Sequence, residues 1–571
     1  MEKSSYFALL AELLDGHIWS IFLSKWTQNP SHPQSRGETL STIVKSPFCP
    51  NFRMRLTFPV ISALTALIFV MPAVLLAEEP AKVSAKPNIL FAIADDWSFG
   101  HAGVYGCKWV KTPTMDRVAR DGILFTQAYT PNGKCSPSRA SVITGRNPWQ
   151  LKEAGNHWAV FPPEFKSYQE ALGEQGYFVG MTGKGWGPGI AKNAAGQKRD
   201  MTGKSFEERN FPSKITKGMS RTDYAGNFND FLDAAPKGKP WSFWYGGHEP
   251  HRGYEYGSGV AKGDKKISDI DRVPACWPDT EEVRNDMLDY AFEVENFDLH
   301  LGRMLAELEK RGELQNTIVV VTSDNGMPFP HCKGYAYNNS DHLPLAIMWP
   351  QGIAKPGRVV DDYVSFIDFA PTFLDVAGMQ QSKTGMAPIT GRSLTEIFKS
   401  DQSGRIIPER DHVLLAKERN DVGRPKDEGY PIRGIVKEGM LYLHNFETSR
   451  GPAGVPETGY KDTDDSPTKT AVLATEKKPD LKYLFEASFG KLPADQLFNL
   501  WRDPDCMTNL ATTGSFAGLQ KQLFEELKQQ GDPRMLGQGN IYDEYPYGFA
   551  DKRNFYERTI RGEKIEATKE E

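Results

Sequence analysis

Short apolar runs that stop at polar residues are the feature that most constrains the fold of this chain. The run from Asn88 to Ala94 ends at Asp95-Asp96, and similar runs recur downstream with helical segments between them. This alternation is typical of α/β proteins with a largely parallel sheet. Further strands are predicted over Tyr177 to Met181, Trp241 to Tyr245, Thr317 to Val321 and Leu343 to Trp349.

The polar residues that directly follow these strands are candidates for a functional site. In open α/β sheets the ligand crevice lies outside the carboxyl ends of the strands, so we expect these residues to converge. They are Asp95-Asp96, Thr182-Gly183-Lys184, Gly247-His248 and Ser323-Asp324-Asn325.

Two further parts of the chain have recognisable patterns, a long helical segment before residue 400 and a region beyond it in which the apolar spacing changes. Apolar residues at helical spacing predict a long helix from Glu281 to Lys310, ending at Gly312. Beyond about residue 400, alternating apolar residues from Ile432 to Leu443 predict a hairpin, and Ser515 to Gln529 an amphipathic helix. The polar stretch from Ser449 to Asp480 is predicted to be a long loop. We therefore expect domains over 86–400 and 401–545, and a tail over 546–571.

The N-terminal region predicts export. The apolar stretch from Leu56 to Ala77 follows two arginines and ends at a small residue, which is typical of a signal peptide over 54–77. The alternative is a membrane anchor, because the run is long for a signal peptide. Residues 1–53 are a mis-called start before Met54 or an unusual leader. Cleavage would make the protein periplasmic or secreted.

Charge and cysteine content exclude some classes of partner. Lys plus Arg (68) nearly balance Asp plus Glu (73), and no long tract of like charge indicates a nucleic-acid partner. An anionic substrate must then be held by a local site. Of six cysteines, Cys49 lies in the doubtful leader, which leaves an odd number for an oxidising compartment. If one of the five is consumed by modification, the other four could pair or stay buried.

The strongest local motif is Cys135-Ser136-Pro137-Ser138-Arg139, followed by Thr144-Gly145-Arg146. Alone, Cys135 would be read as a buried thiol or half of a disulfide. The motif resembles the recognition sequence of type I sulfatases, in which a formylglycine-generating enzyme oxidises the cysteine to Cα-formylglycine (3-oxoalanine). Other segments that resemble the family's motifs occur in the expected order along the chain: NILFAIADD, TGK at Thr182, HEPH at His248, SDNG at Ser323 and a C-terminal Leu497-Phe498-Asn499-Leu500 segment.

This resemblance, which covers nearly everything after Lys86, implies a fold and a metal site. The fold would be alkaline-phosphatase-like, a mixed sheet between helices followed by a smaller antiparallel sheet with a helix. Residues 86–400 would be the sulfatase catalytic domain. One Ca²⁺ would be bound by Asp95, Asp96, Cys135, Asp324 and Asn325, and oxygen ligands suit calcium better than zinc. Without the SDNG motif, Asp95-Asp96 could equally be a helix N-cap.

The resemblance also implies roles for basic residues. Arg139, Lys184 and Lys333 would hold the sulfate, although a lone loop lysine such as Lys333 is usually just solvated. His251 resembles the family's general acid, and His248 would have a supporting part.

One position departs from the family pattern. The family usually has a histidine two residues after the TGK lysine, where it helps to expel sulfate, and this chain has Trp186. His157 or His331 could replace that histidine, or the step could be managed differently. Trp186 could instead line the substrate pocket as an aromatic platform for a sugar.

The expected function is hydrolysis of sulfate groups on a sulfated glycan. His251-Arg252-Gly253 and SDNGMPFP most resemble heparan N-sulfatases, which makes N-sulfoglucosamine and O-sulfate esters of other polysaccharides the candidate substrates. His157, Trp186, His248, Arg252 and His331 are candidate substrate-binding residues. The alternatives are a phosphodiester or phosphonate monoester hydrolase of the same fold and a non-catalytic, calcium-dependent glycan-binding protein. The oligomeric state does not follow from the sequence.

Overall fold

The computed structural model describes residues 86–565. The predicted leader (1–53) and signal peptide (54–77) lie outside the described residues. Within residues 86–565, no helix has both the length and the apolar character needed to span a bilayer.

The core of the molecule is an eight-stranded mixed sheet. Its strands, in chain order, are β1 (Asn88–Ala94), β2 (Ile123–Phe125), β3 (Phe178–Gly183), β4 (Lys204–Ser205), β5 (Trp241–Gly246), β6 (Thr317–Ser323), β7 (Leu345–Met348) and β8 (Arg358–Val360). Their spatial order is β8-β2-β7-β6-β1-β5-β3-β4. Only β7 runs antiparallel to its neighbours. All five strands predicted from the sequence are present, and the mixed α/β sheet is confirmed.

The arrangement of four adjacent strands explains where a site can form. Strand β1 is parallel to both β5 and β6, and β5 is parallel to β3. In register, Ala94 pairs with Ser323, while Gly183 pairs with Gly246. The segments that follow these strands therefore leave the same edge of the sheet, as the sequence predicted.

Helices cover both faces of this sheet because its strands are apolar on both sides. Leu90, Ala92 and Ala94 face the cluster that contains helix Glu281–Arg311, while Ile89 and Phe91 face the opposite cluster. The longer helices are α1 (Pro113–Arg120), α2 (Cys135–Thr144), α3 (Tyr168–Glu174), α4 (Tyr224–Ala234), α5 (Glu281–Arg311), α6 (Phe369–Val376), α7 (Pro467–Leu473), α8 (Lys482–Phe489) and α9 (Ala517–Gln529). Shorter helices are Ser258–Ala261, Asn338–Asp341, Thr395–Lys399, Ile541–Glu544 and Phe555–Ile560.

Helix α5 begins and ends where its capping residues require. The Thr280 side chain accepts a hydrogen bond from the Val283 backbone N–H, and Gly312 ends the helix at φ 71°. A threonine N-cap and a left-handed glycine C-cap satisfy backbone groups that the helix cannot pair itself. The predicted long helix is confirmed.

A second, four-stranded antiparallel sheet follows the large one. Its strands are β9 (His412–Lys417), β10 (Ile432–Lys437), β11 (Met440–Asn445) and β12 (Asp495–Asn499), which pair in that order. Leu523 and Leu527 of helix α9 pack against its apolar face with Ile435 and Tyr442. The predicted hairpin, terminal helix and smaller antiparallel sheet are confirmed.

The expectation of a long loop from Ser449 to Asp480 is wrong. This segment contains the 3-10 turn Pro456–Thr458 and helix α7, and Ser466 caps α7 by accepting from the Lys469 backbone N–H. Proline in the first turn lacks an N–H that would be unpaired there, so it starts a helix without breaking it. The helix was not predicted because the segment is polar and has no clear apolar period. Two smaller pairs of strands, Ala128–Tyr129 with Val364–Ser365 and Val160–Phe161 with Ile190–Ala191, complete the fold.

The described cysteines are all free thiols. Cys107 is half-buried, and Cys135, Cys276, Cys332 and Cys506 are buried. The four described cysteines other than Cys135 are therefore unpaired, and three of them, Cys276, Cys332 and Cys506, are buried as one of the two expected arrangements required.

Candidate active site

Helix α2 places Cys135 at its first position, at the carboxyl edge of the large sheet. Lys134 before it has an extended backbone, and every residue of the helix is buried. The Cys135 Sγ atom lies 3.5 Å from Oδ1 of Asp95. Burial raises the pKa of the Cys135 thiol, and nearby carboxylates raise it further. The thiol therefore stays protonated, in which form a cysteine is a poor nucleophile.

Two strand-end loops bring buried carboxylates to this cysteine. Asp95 and Asp96 follow β1, Asp324 follows β6, and the Asp96 backbone N–H donates to Oδ1 of Asp324 at 3.1 Å. Side-chain atoms of Asp95, Cys135 and Asp324 all lie within 4.8 Å of one another. Burial raises the pKa of both Asp96 and Asp324 to about 6, and the adjacent Asp95 carboxylate adds to the increase. Carboxylates this close favour a bound cation.

Asn325 completes an oxygen-rich cluster that fits a hard cation. Its Nδ2 donates to Oδ1 of Asp96 at 2.7 Å and to the Gly326 carbonyl at 2.9 Å. Its Oδ1 is buried and has no hydrogen-bond partner. A buried amide oxygen without a donor is costly unless a ligand such as Ca²⁺ satisfies it.

Three cationic side chains surround the carboxylates. The Arg139 Nε donates to Oδ2 of Asp324 at 2.7 Å, Lys184 Nζ donates to Oδ2 of Asp95 at 2.7 Å, and Lys333 Nζ donates to Oδ2 of Asp96 at 2.6 Å. All three cations are largely buried. They balance the three carboxylates, so a bound divalent cation would leave surplus positive charge for an anionic substrate.

His251 lies where this cluster meets solvent. Its Nε2 is 4.0 Å from Oδ2 of Asp96, and 40% of its side chain is exposed. Its Nδ1 lies 3.0 Å from the Arg252 carbonyl oxygen. Surrounding protein atoms and the Lys333 ammonium lower the pKa of His251. His248 is exposed, and its backbone N–H donates to the Tyr224 hydroxyl at 3.1 Å.

The comparison with known proteins identifies the group to which this chain belongs. The family model described as Sulfatase matches residues 87–379, just over half of the 571 residues. The chain belongs to the sulfatase family. As a member of that family, it is a hydrolase of sulfate esters or sulfamates.

Similar proteins include sulfatases that act on glycans. Human N-sulphoglucosamine sulphohydrolase is 28% identical over 485 residues, covering 78% of this chain and 89% of the human protein. An ulvan-active sulfatase from Formosa agariphila is 23% identical, covering 81% and 78%. Among solved structures, one described as a complex with D-glucosamine-2-N,6-O-disulfate has a TM-score of 0.55 and 20% identity, covering 81% of this chain and all of that one. That likeness confirms the alkaline-phosphatase-like fold.

The two histidines that could replace the one missing at Trp186 have opposite environments. Both nitrogens of His331 face backbone carbonyls, Nδ1 to Ala487 at 3.0 Å and Nε2 to Asp505 at 2.9 Å. His157 is 3% exposed, and neither of its nitrogens has a hydrogen-bond partner. Burial lowers the pKa of His157, and the ammonium groups of Lys134, Lys333 and Lys184 lower it further. Of these two histidines, His157 is therefore the one whose ring nitrogens are free, and it lies within the field of the cationic cluster.

Two other candidate substrate-binding residues make strong contacts within the protein. The Trp186 Nε1 donates to the Ser136 carbonyl at 3.0 Å, and its ring packs edge-on against Phe161. Arg252 donates to both carboxylate oxygens of Asp286 at 2.7 Å and to the Pro328 carbonyl. Trp186 thus supports the first turn of α2, and the Arg252 guanidinium is already engaged.

Sequence reasoning missed the residues that the C-terminal part of the chain contributes to this site. Asp464 lies 3.5 Å from Lys333 Nζ, and Asp421 lies 3.3 Å from Lys134 Nζ. Lys134 could have been found, because it directly precedes Cys135. Nothing in the local sequence marked Asp421 or Asp464, since each approaches the site only through tertiary folding.

Proposed function

We propose that this sulfatase removes sulfate from a sulfated glycan, using formylglycine formed at Cys135 and one Ca²⁺ held by Asp95, Asp96, Asp324 and Asn325. The observation that carries the proposal is the position of Cys135 within 4.8 Å of Asp95 and Asp324, with lysines beside it. The protonated thiol would be a weak nucleophile, which supports its conversion to another group by a formylglycine-generating enzyme.

The absent groups would supply two kinds of chemistry. Asp95, Asp96, Asp324 and Asn325 would hold Ca²⁺, which would supply Lewis-acid polarisation of sulfate oxygens, and formylglycine at position 135 would supply, when hydrated, one hydroxyl for attack on sulfur and a second for release of sulfate. The side chains present fit these groups, because three carboxylates and an unpaired amide oxygen meet at the start of α2.

The chain's own residues hold and neutralise the substrate. Lys184 and Lys333 balance negative charge on the sulfate oxygens, and Arg139 fixes the Asp324 carboxylate through its Nε. These groups are buried and held by ion pairs, so little reorganisation is needed when charge develops.

His251 donates a proton to the departing oxygen or nitrogen of the sugar. The Arg252 carbonyl favours a proton on Nδ1, so Nε2 is the nitrogen that faces the leaving group, and it has a proton to donate when the ring is an imidazolium. The partial exposure of His251 places it on the side from which a sugar can enter.

His157 takes the place of the histidine that family members carry at position 186. Its free nitrogens can accept a proton or donate a hydrogen bond, and the ammonium groups of Lys134, Lys333 and Lys184 are close enough to lower its pKa. Because its pKa is lowered, the imidazole is neutral at physiological pH and can act as a base. His331 has a structural part, since both of its nitrogens face carbonyls.

The proposed substrate is N-sulfoglucosamine in a glycan, with an O-sulfate ester of another polysaccharide as the second candidate. The likeness to human N-sulphoglucosamine sulphohydrolase supports the first, and that to an ulvan-active sulfatase supports the second. We further propose export to the periplasm or the medium, where such polymers occur.

A substrate panel tests this proposal. Enzyme produced with a formylglycine-generating enzyme would be assayed on N-sulfoglucosamine, N-acetylglucosamine 6-sulfate, an aryl sulfate and an aryl phosphodiester. We expect release of sulfate from a sugar and far slower phosphodiester cleavage. Faster turnover of the phosphodiester would overturn the assignment in favour of a phosphodiesterase.

A further inference from the structure

The segment between β11 and β12 places a carboxylate inside a site built to bind an anion. Asp464 Oδ2 lies 3.5 Å from Lys333 Nζ, and the same ammonium lies 2.6 Å from Oδ2 of Asp96. Asp464 is the strongest of the charges that raise the pKa of Lys333. The Lys333 ammonium thus pairs both with Asp96, a proposed metal ligand, and with Asp464, which is not among the proposed metal ligands.

The carboxylate of Asp464 is charged and partly open to a ligand. The ammonium groups of Lys333 and Lys134, with His251 and Arg252, overcome the effect of burial and hold its pKa well below the usual value. About 25% of the side chain is exposed, while Oδ2 is buried without a hydrogen-bond partner. A fixed carboxylate here repels anions, so its presence weakens sulfate binding unless it binds something else.

The chain holds Asp464 firmly in this position. Lys469 Nζ, in helix α7, donates to the carbonyls of Gly459, Tyr460 and Thr463 and so closes the turn before Asp464. Thr468 Oγ1 donates to Oδ2 of Asp286 at 2.6 Å, and Asp286 also accepts from Arg252. The segment is therefore tied to helix α5 and, through Arg252, to the residue next to His251.

Close packing against the Lys333 loop fixes the other end of the segment. Gly334 has φ 83°, and a Cβ atom built there would lie 2.9 Å from the Asp462 carbonyl oxygen. The buried Asp462 carboxylate in turn accepts from Arg424 at 2.5 Å. Only glycine allows this approach without strain, and it brings the backbone of the segment against the residue after Lys333.

We propose that Asp464 is a specificity-determining residue that accepts a hydrogen bond from a hydroxyl or amino group of the sugar beside the scissile sulfate, and disfavours a second anionic group there. This inference rests on the proposed function. Asp464 stands on the leaving-group side, because Thr468, four residues on, donates to the Asp286 carboxylate that holds Arg252, the neighbour of His251. A buried acceptor discriminates strongly against a ligand that cannot donate to it.

The test compares Asp464→Asn with wild type on a sugar sulfate and on 4-nitrocatechol sulfate, which has no sugar. The sugar sulfate is whichever of N-sulfoglucosamine and N-acetylglucosamine 6-sulfate wild type hydrolyses. We expect kcat/KM for the sugar to fall about 10- to 100-fold, and that for the aryl sulfate to change less than about threefold. The inhibition constant of inorganic sulfate should fall at least about fivefold, because a repelling charge is removed.

Asp465→Asn is the matched control. Asp465 is the adjacent residue, 72% exposed, and it pairs with Lys461 and Lys469 rather than with the site. This variant should keep both activities and the inhibition constant of sulfate. A purely structural role for Asp464 would not tighten the binding of sulfate.

The outcomes separate the two proposals. If wild type releases sulfate but Asp464→Asn affects both substrates equally, or leaves sulfate inhibition unchanged, the role of Asp464 is refuted. If fully modified wild type releases no sulfate from any substrate, the proposed function fails, and this inference fails with it.

Discussion

The two halves of the active site differ in how the chain builds them. One half consists of loops that follow adjacent parallel strands, and it carries Asp95, Lys184, His251 and Asp324. The other half comes from the C-terminal region, where Asp421 and Asp464 reach the site from segments outside the large sheet. The strand-end half supplies the side chains near Cys135, and the C-terminal half supplies carboxylates that contact Lys134 and Lys333.

We propose that the strand-end half carries out the chemistry at sulfur and that the C-terminal half determines which sugar is bound. The geometry of a parallel sheet fixes the strand-end loops, so the residues that we propose to act on sulfur can be placed accurately. The C-terminal half is held by side-chain hydrogen bonds within irregular segments, such as those of Lys469. The sequence of such segments can change without disturbing the sheet, which makes them suitable for binding different sugars.

The largest effect should follow from loss of the reactive group in the strand-end half. Cys135→Ser should lower steady-state release of sulfate about 10³-fold or more, because serine lacks the second hydroxyl of a hydrated aldehyde. Continuous assay of sulfate release checks this. Cys107→Ser, at a half-buried thiol elsewhere, is the control and should stay active. Wild-type activity in Cys135→Ser would remove the case for formylglycine.

Two buried aspartates, Asp324 after β6 and Asp532 after helix α9, distinguish metal binding from stability. Asp324→Asn should lower kcat/KM about 10²- to 10³-fold and reduce bound calcium, as measured by elemental analysis. Asp532→Asn removes one of the two carboxylate partners of the buried Arg433, the other being Glu418, and should destabilise the fold by about 1–3 kcal/mol while retaining calcium. Full calcium content in Asp324→Asn would contradict the proposed ligand set.

The two buried histidines give the next largest contrast. His157→Gln should lower kcat about 10- to 100-fold with little change in melting temperature, because the His157 nitrogens have no partner in the protein. His331→Gln should lower the melting temperature, since it disturbs two contacts to carbonyls. If His331→Gln reduces kcat in folded enzyme while His157→Gln does not, His331 rather than His157 replaces the missing histidine.

The smallest effect is expected where the C-terminal tail supports the site. Tyr547 donates its hydroxyl to the Asp421 carbonyl at 2.9 Å, and Tyr547→Phe removes only this bond. A single hydrogen bond contributes about 1 kcal/mol, so kcat/KM should fall no more than about fivefold. Tyr483→Phe, at a ring that is 55% exposed, should have no effect. A loss above 50-fold would show that the tail has a direct catalytic part.

The sequence predicted the strand-end half well because each of its residues follows a recognisable strand. Asn88–Ala94 has the predicted bounds, and the polar residues after four strands meet at one edge as expected. The long helix from Glu281 was also clear, since its caps and apolar period agree. In these cases local pattern and tertiary structure give the same answer.

The C-terminal half could not be predicted because its order depends on distant partners. Helix α7 lies in a polar segment whose stability comes from contacts such as Thr468 with Asp286. The free nitrogens of His157 and the paired ones of His331 follow from folding, and the sequence treated the two residues alike. Local propensity carries no information about such contacts.

Analysis of residue 135 in active enzyme tests the central claim most directly. Protein made with a formylglycine-generating enzyme would be digested, and the peptide containing position 135 would be examined by mass spectrometry and by reaction with a hydrazide. We predict an aldehyde whose fraction rises in proportion to kcat across preparations of differing modification. An unmodified cysteine thiol in fully active enzyme would contradict the account.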